Sequence, residues 1–524
     1  MGHPQARTQT GSPPNNENPT TVIPVRFFHN IVHIASLNAY TRPFFQAASM
    51  PLDRGRVFAH IDKNLPQHIA KVQELVRQPS ISPENKGVRD CANLVLSYLT
   101  SLGAKASLEE TSGNPVVYGN YDSGADKTIV VYMMYDTMPI DEPGWRVDPL
   151  AGTLTDVPPF GRCLVARGAF NTKGELRGFL NACESIKATR QKIPVNLLFV
   201  VEGEEEMGSR HLPEFISKHE KELQEAETVF FPFCSQDRTG KVVMYLGVKG
   251  IVFFELELDG ATWGKGPKEF GIHGSNKAWV DSPVWRMIQA LSTMTGPDGN
   301  KVTIQDFYRH AQVPNKEDRE LLPKLEKTFN DTAVREEMKV DRFIGDSHGI
   351  EALKKYLFEP TLNINGIASG YTGPETKTLL PHKITVKMDV RLVPNMRKDD
   401  VIPMIRNHLD AYGFKDIQIR ILEAGYGASR TSYQSPPAQA VIKSYKEMGK
   451  DPELWPTIAG SAPFAIFNRK PVNLPVVIGG LGHGALSHSP NEYIVIDENG
   501  PTGGLASMEK SFVTILDNFG KMVG

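Results

Sequence analysis

The chain has 524 residues, of which 40% are hydrophobic, and its 58 basic and 60 acidic side chains give a formal net charge of −2. This length exceeds that of a typical single core, which predicts two domains or one elaborated domain. The balanced charge offers no basic surface for nucleic acid or an anionic membrane, so neither is expected as a partner. A small-molecule ligand is the expected partner.

The cysteines are few and scattered, and they show no CxxC spacing. This pattern predicts neither a disulfide framework nor a thiolate zinc site, and it favours a reducing compartment, which we predict to be the cytoplasm. Residues 1–55 are predicted to form a partly disordered N-terminal tail, because they begin with a stretch rich in Pro, Asn, Gln and Thr. The acid-poor part that follows leaves organelle targeting as an alternative. The cysteines are Cys91, Cys163, Cys183 and Cys234.

From Arg56 onward, helical and strand patterns alternate. "CANLVLSYLTSLG" has leucines near helical spacing and stops at Gly103, and "KTIVVYMMYD" is a short buried-strand run. "KGELRGFLNACESIKAT" carries one apolar helical stripe, and "VNLLFVV" is another strand. This order predicts an α/β domain with a mainly parallel sheet flanked by helices.

Acidic loops follow two of these strands. "MMYDTMPIDEPGW" leaves the first strand and "EGEEEMGSR" leaves the second. Because the carboxyl ends of parallel strands meet at one sheet edge, these carboxylates are expected to converge. Converging carboxylates bind cations or transfer protons, since their repulsion is otherwise uncompensated. A solvated acidic loop is the alternative.

After Gly247 the pattern changes to the alternation of antiparallel strands. The strands "GIVFFELELDG" and "HKITVKMDVRLVP" occur with the helical segments "SPVWRMIQALSTM" and "KDDVIPMIRNHLDAYG". We predict an inserted α+β lid or dimerisation domain over residues 248–422. The α/β pattern then returns, so residues 56–247 and 423–524 are predicted to form one catalytic domain in two pieces.

Four motifs are specific enough to compare with a family: "EGEEEMGS", "ARGAFNTKGE", "TKTLLPHKITVKMDVRLVPNM" and "HSPNEYI". Together they resemble the metal-dependent exopeptidases and deacylases that include carnosinase, acetylornithine deacetylase, aminoacylase and glutamate carboxypeptidase. The inserted module is similar to the carnosinase branch. The resemblance implies a catalytic metallohydrolase domain and a smaller domain that mediates dimerisation, so a homodimer or higher homo-oligomer is expected.

The resemblance assigns roles to the acidic stretch and to a late histidine. Glu205 matches the general base that activates a metal-bound water, and Glu206 matches the adjacent metal ligand. His488 matches a histidine ligand of the same metal site. Glu202 and Glu204 are expected to face outward or to support the site from behind.

The resemblance also assigns roles to residues that contact the substrate. His273 matches a histidine that reaches across the dimer to stabilise the oxyanion of the scissile carbonyl. Arg391 matches the arginine that holds a substrate carboxylate, and a strand salt bridge is the alternative. Thr378 and Ser461 match further substrate contacts of the carnosinase branch, with a structural role as the alternative.

Three positions depart from the metal motifs of the family. Met134 stands where the family has a histidine ligand, and a thioether is a poor ligand for zinc or manganese. Asn171 replaces the bridging aspartate, and a neutral amide cannot neutralise two divalent cations. The third expected aspartate falls near Phe233 or Cys234, with Asp237 a few residues late.

These departures predict one labile divalent metal ion, Zn or Mn. Glu206 and His488 would hold it, with Asn171 as a weak third ligand. Tyr135 and Asp136 would then be free to bind substrate or to support the site.

The predicted function is a metal-dependent hydrolase that cleaves an amide or other C–N bond in a small carboxylate-bearing substrate. Two alternatives stay open. One is an aminohydrolase for an activated aromatic amine, similar to nitroanthranilate aminohydrolase, with an apolar pocket to which Met134, Met138 and Phe170 could contribute. The other is a catalytically inactive protein that binds a small molecule or a partner protein.

Overall fold

The computed structural model describes residues 51–311 and 314–523. The predicted tail over residues 1–55 lies outside the described residues apart from its last five, in which the first helix already begins. The helices of the described ranges are α1 Arg54–Arg77, α2 Val88–Leu102, α3 Lys173–Ala188, α4 Leu212–Gln224, α5 Gly260–Trp263, α6 Pro283–Met294, α7 Lys316–Glu326, α8 Asp331–Met338, α9 Gly349–Phe358, α10 Lys398–Ala411, α11 Pro436–Glu447, α12 Ala465–Asn468 and α13 Leu505–Gly520.

The longest strands, of nine to 13 residues, lie in the predicted insertion or run across its ends. In chain order they are β1 Lys105–Glu109, β2 Val116–Tyr121, β3 Thr128–Met134, β4 Thr153–Asp156, β5 Arg162–Val165, β6 Asn196–Glu202, β7 Thr228–Pro232, β8 Val243–Tyr245, β9 Gly247–Asp259, β10 Ile272–His273, β11 Thr361–Ser369, β12 Leu379–Leu380, β13 Lys383–Leu392, β14 Gln418–Tyr426, β15 Ser429–Arg430, β16 Glu453–Trp455, β17 Ile458–Ser461, β18 Val476–Gly479, β19 Gly484–Ala485 and β20 Tyr493–Val495.

The main sheet has the strand order β1-β2-β6-β3-β7-β18. Its pairs β6–β3, β3–β7 and β7–β18 are parallel, and β1–β2 and β2–β6 are antiparallel. The apolar runs that predict β3 and β6 are buried almost throughout. The predicted stop of α2 is confirmed, because Gly103 follows it with a φ of 97°, which favours glycine. The mainly parallel sheet is therefore confirmed.

Helices cover both faces of this sheet. On β2, the ring of Tyr118 packs against Phe215 of α4, with ring centroids 5.4 Å apart. At the next residue, Gly119, a Cβ atom would lie 3.0 Å from Leu99 Cδ1 of α2. Because successive residues of a strand face opposite sides, α2 and α4 lie on opposite faces of the sheet.

The predicted inserted module contains a second sheet, with the order β11-β13-β9-β14 and antiparallel pairing. Apolar residues of β9 and β13 pack with α6 and α10 in a hydrophobic core of their own. The α+β character is therefore confirmed. The boundaries of residues 248–422 stay a prediction, and β9 and β14 run across them by one and four residues.

Part of the predicted insertion packs against the second catalytic segment. Helix α7 contacts β16, and α9 contacts β17. Arg430, which follows the insertion, donates from Nη2 to Asp318 Oδ1 of α7 at 2.6 Å. The helical region of α7 to α9 is therefore fixed to the segment that carries β16 and β17.

Three adjacent strands of the main sheet end at one edge. Strand β3 lies between β6 and β7, and its last residue, Met134, pairs with Glu202 at the end of β6. The chain leaves β7 at Pro232 on the same edge. A separate four-stranded sheet, β19-β20-β5-β4, carries the loop that contains His488 between its first two strands. Across residues 51–311 and 314–523, no helix is both long and apolar enough to cross a membrane.

Candidate active site

The Glu205–Glu206 pair lies in a tight turn directly after β6. The turn is a 3-10 helix over Glu205–Met207, and the backbone N–H groups of Glu205 and Glu206 donate to the carboxylate of Asp136 at 3.2 and 3.1 Å. Asp136 is fully buried, and Ser82 Oγ donates to it at 2.7 Å. Burial, and then repulsion from Glu206, raise the pKa of Asp136 to about 7. Asp136 therefore holds the backbone of the pair in place.

The three predicted metal ligands converge on one another. Glu206 Oε2 lies 2.9 Å from His488 Nε2. Asn171 Nδ2 lies 2.8 Å from Glu206 Oε1 and 3.0 Å from His488 Nε2. His488 Nε2 can donate a proton to Glu206 or accept one from Asn171, but it cannot do both at once. The hydrogen bond to Glu206 raises the pKa of His488. We call Asn171, Glu206 and His488 the ligand cluster.

A buried carboxylate, Glu492, positions the loop that carries Asn171. It accepts hydrogen bonds from the backbone N–H groups of Gly168, Phe170 and Asn171 at 3.1, 3.0 and 2.8 Å. Arg167, also buried, donates to Glu492 from Nη1 at 3.0 Å. Neither Glu492 nor Arg167 stood out in the sequence, although both lie inside family motifs. The sequence signal that could have found them is their opposite charge, since Arg167 lies in one family motif and Glu492 in another.

The prediction that Glu202 and Glu204 face outward is wrong, because both side chains are buried. Tyr132 Oη and Ser209 Oγ donate to Glu202 Oε1 at 2.5 and 3.0 Å. Glu204 Oε2 lies 2.8 Å from His211 Nδ1. Glu202 and Glu204 therefore support the loop from inside the protein, which is the second role that the sequence predicts for them. Glu205 and Glu206 remain as candidates for the chemistry.

Glu205, the predicted general base, is half-buried. Burial, and then repulsion from Glu206, Asp136 and Glu202, raise the pKa of its carboxyl group well above the ordinary value. A cation held next to it would oppose this shift, because an opposite charge stabilises the carboxylate. The protonation of Glu205 is therefore coupled to any positive charge that the ligand cluster holds.

Tyr135 and Asp136 do not face a substrate, which corrects the prediction that they bind one. Both residues are 0% exposed. Tyr135 Oη donates to the backbone carbonyl of Pro115 at 2.6 Å, so its polar group is already paired inside the domain. Asp136 contacts the backbone of the Glu205–Glu206 pair, which is the supporting role that the sequence left open.

Asp237 does not replace the third aspartate of the family motif. Its Oδ1 accepts hydrogen bonds from the backbone N–H groups of Thr239 and Lys241 at 2.8 and 3.1 Å, so it closes its own turn. Met134, in the place of the histidine ligand, is buried at the end of β3. Neither residue supplies a ligand to a first metal ion.

The other two candidates for that position, Phe233 and Cys234, carry no carboxylate. Cys234 is buried, with Sγ 3.5 Å from Met508 Sδ. Phe233 is half-buried and packs against Phe170, with ring centroids 4.9 Å apart. The edge beyond β7 therefore carries aromatic side chains where the family motif has a carboxylate.

The donor atoms of the ligand cluster suit one divalent ion. Within the described residues, no group of three His, Cys, Asp or Glu side chains is placed to hold a metal. The cluster adds an amide to one carboxylate and one imidazole, and turning the Asn171 amide would present Oδ1 in place of Nδ2. The family resemblance places the neutral Asn171 at the bridging position, where an amide cannot neutralise two divalent cations.

Arg391 and Ser461 form a second group of predicted site residues. Arg391 Nη1 donates to Ser461 Oγ at 2.7 Å, and its Nε lies 3.5 Å from Asp389 Oδ1. The Arg391 side chain is 34% exposed, so it is accessible despite these contacts. Lys249, which pairs with Ser461 between β9 and β17, is buried, and burial lowers its pKa to about 8. The group therefore offers an accessible guanidinium, the donor that carboxylate binding requires.

His273 and Thr378 form a third group, which is exposed. The antiparallel pairing of β10 with β12 brings them together, and His273 Nε2 lies 3.1 Å from Thr378 Oγ1. The other ring nitrogen of His273 lies 2.8 Å from Ser275 Oγ. The predicted substrate contacts thus fall into two pairs, Arg391 with Ser461 and His273 with Thr378.

Comparison with known families agrees with this geometry. The model of peptidase family M20/M25/M40 matches residues 131–504. The chain belongs to this family. The membership confirms the resemblance found in the motifs and the predicted enzyme class, a metallohydrolase that acts on C–N bonds.

The relatives within this M20 family include dipeptidases. The chain is 27% identical over 376 residues to the Cys-Gly metallodipeptidase dug1 of Schizosaccharomyces pombe, which covers 69% of this chain and 76% of that protein. It is 26% identical over 309 residues to the human Beta-Ala-His dipeptidase, which covers 56% of each chain.

Solved structures of M20 enzymes share the fold. The metallo-carboxypeptidase Sso-CP2 of Sulfolobus solfataricus superposes with a TM-score of 0.76 and 30% identity, over 86% of this chain and 99% of that one. The dipeptidase Dug1p of Saccharomyces cerevisiae gives a TM-score of 0.76 at 22% identity, over 91% and 100%. The predicted fold class is confirmed.

Glu202 is expected to make the metal-free protein less stable as the pH rises. Burial raises its folded pKa to about 8, above the unfolded value of about 4.3. The group's contribution to stability is therefore complete below about pH 4 and is lost as the pH rises through about 8. Glu202→Gln mimics the protonated carboxyl group and should flatten the fall in the free energy of unfolding, which reaches at most about 1.4 kcal/mol per pH unit for one proton.

Urea unfolding with EDTA, at several values between about pH 5 and pH 8, measures this slope. The exposed Glu269→Gln makes the same chemical change on the surface and is expected to leave the slope as it is in the parent protein. An unchanged slope in Glu202→Gln would contradict the account of this buried carboxyl group.

Proposed function

We propose that this protein is a single-metal hydrolase that cleaves the amide bond of a small, carboxylate-bearing substrate of dipeptide size. The observation that carries the proposal is the convergence of Glu206, His488 and Asn171 directly beside Glu205. The names of the relatives, Cys-Gly metallodipeptidase and Beta-Ala-His dipeptidase, support a substrate of this size.

Zinc or manganese is the proposed ion, because one imidazole, one carboxylate and one amide oxygen suit these borderline and harder cations. Glu206, His488 and Asn171 would hold it. When bound, a divalent ion supplies a Lewis acid that polarises the amide carbonyl and lowers the pKa of water. The loss of the bridging carboxylate at Asn171 predicts that the ion is held loosely.

Glu205 is proposed to carry the proton. It takes a proton from the attacking water and gives it to the leaving nitrogen, which needs a carboxyl group whose pKa lies near the operating pH. The acidic neighbours raise the pKa of Glu205, and a bound cation would lower it again. These opposing effects suit a group that first accepts and then donates a proton.

The other two groups of site residues are proposed to bind the substrate. One binds its carboxylate and the other binds its scissile carbonyl. Arg391, accessible and supported by Ser461, would bind the substrate carboxylate through its planar fork of donors. His273, with Thr378, would donate a hydrogen bond to the oxyanion of the scissile carbonyl, as the family resemblance implies.

Glu205→Gln is the direct test of this function. Glutamine cannot accept the proton, so turnover should fall by about two to four orders of magnitude while the metal content stays unchanged. The assay is hydrolysis of dipeptides and N-acyl amino acids, including Cys-Gly and β-Ala-His, with Zn or Mn. Glu227→Gln makes the same chemical change at an exposed residue just before β7, at the other end of the sheet, and it is the matched control that should retain full activity.

The two alternatives predict other outcomes. A binding protein without activity shows no turnover in the parent, and Glu205→Gln then alters affinity only. An aminohydrolase releases ammonia from aromatic amines and leaves dipeptides intact. Both alternatives stay predictions, as does the cytoplasmic location, which is supported by the four free, buried cysteines.

We propose that the protein forms a homodimer in which the edge strand β11 contacts a second copy of the chain. Among the strands of residues 51–311 and 314–523, β11 pairs with β13 alone, and it exposes Ile364 and Ile367 to 44% and 56%. An exposed edge with apolar side chains favours pairing with a second copy. The exposed position of His273 agrees with a role that reaches across subunits.

Light scattering during size-exclusion chromatography should give about twice the chain mass of 58.1 kDa for the parent. Ile364→Lys places a charge on the proposed interface and should shift the protein to the monomer mass. Ile421→Lys makes the same change on β14, the opposite edge of the sheet, where Ile421 is 55% exposed, and it should leave the dimer intact. A parent protein of monomer mass would contradict the proposal.

A further inference from the structure

The sheet edge at the site changes from acidic to apolar across three neighbouring strands. Glu205 and Glu206 follow β6 at one side, and Phe233 follows β7 at the other, with β3 between them. Strand β3 ends in Met134, which is also apolar. A ligand bound at this edge therefore meets carboxylates on one side and apolar side chains on the other.

The loop at Phe170 and Asn171 spans this boundary. Phe170 packs against Phe233, with ring centroids 4.9 Å apart and an interplanar angle of 43°. The next residue, Asn171, contacts Glu206 and His488. Because successive Cα atoms are about 3.8 Å apart, the aromatic pair begins one residue away from the ligand cluster.

The aromatic pair is fixed from behind. Phe233 stacks on Phe231 at an interplanar angle of 21°, with ring centroids 5.7 Å apart, and Phe231 packs edge-on against Phe464. The Phe170 ring lies against Gly484, where a Cβ atom would come 2.3 Å from Phe170 Cδ2. Phe170 and Phe233 are nevertheless half-buried, whereas Phe231 and Phe464 are buried. The pair therefore presents part of a rigid aromatic surface to solvent, made of two tilted rings.

We propose that Phe170 and Phe233 form a binding subsite for a planar, apolar group of the substrate, such as an aryl group attached to the scissile amide. The subsite determines specificity and rests on the proposed function, because the ligand cluster must hold the amide next to it. Offset or edge-to-face contact with two rings favours an aromatic group over an aliphatic one. A charged substrate group would lose its hydration there without gaining a partner.

Binding of two N-acylglycines by the Glu205→Gln protein, loaded with Mn, tests this subsite without turnover. Hippurate and acetylglycine share the amide and the carboxylate, and they differ only in a phenyl group against a methyl group. Isothermal titration calorimetry should show hippurate binding roughly 10-fold more tightly or better, because a phenyl group buries much more apolar surface.

Phe233→Ala and Phe170→Ala, each in the Glu205→Gln background, should bring the ratio of the two affinities towards about one by removing one ring of the pair. The affinity for acetylglycine should change little, which also shows that each variant is folded. Phe343→Leu alters another half-buried phenylalanine, in the predicted insertion, and should keep the preference.

Equal affinities in the Glu205→Gln protein, or a preference that survives both substitutions, overturn the subsite and leave the proposed function standing. Failure to bind either N-acylglycine with the metal in place overturns both. Preference for hippurate that both substitutions abolish supports the subsite.

Discussion

The Glu492 carboxylate joins the two loops on which the site is built. It accepts hydrogen bonds from backbone N–H groups of the loop that contains Phe170 and Asn171, and it pairs with the buried Arg167. Glu492 itself lies four residues beyond His488. The same buried charge therefore fixes the loop that supplies the amide and the loop that supplies the imidazole. A buried carboxylate tolerates this position because backbone donors and a guanidinium compensate for its lost hydration.

Once these loops are fixed, the charge of residue 171 sets the charge balance of the site. An aspartate there would add a negative charge beside Glu206, which only cations could offset. The amide of Asn171 instead donates to Glu206 or His488, so the ligand cluster is satisfied within the protein itself. On the proposed assignment, the chain keeps Glu205 as the general base and Glu206 and His488 as ligands, while Asn171 lowers the demand for metal. The aromatic side chains beyond β7 agree with this change, since they leave no carboxylate for a first ion.

The sequence predicts those parts of the fold whose signal is local. Apolar periodicity predicts β3, β6, α2 and α3, and the family motifs name Glu206, His488 and Asn171 before their convergence is seen. Sequence alone misjudges residues whose partners lie far along the chain. Tyr135 is taken for a site residue because it lies beside Met134 in the first metal motif of the family, but its hydroxyl group is paired with Pro115 inside the domain. Glu202 resembles a solvated acid until its partner Tyr132, 70 residues earlier, comes into contact with it.

The most direct test of the account is the number of metal ions per chain. The protein is purified without chelator, equilibrated with excess Mn or Zn, desalted and measured by elemental analysis. About one ion per chain is expected, and none in His488→Ala, because Glu206, His488 and Asn171 form the one proposed set of ligands. About two ions would contradict the interpretation of Met134 and Asn171 and indicate a dinuclear peptidase with other ligands. No ion, even with candidate substrates present, would contradict the hydrolase and favour a protein that binds without catalysis.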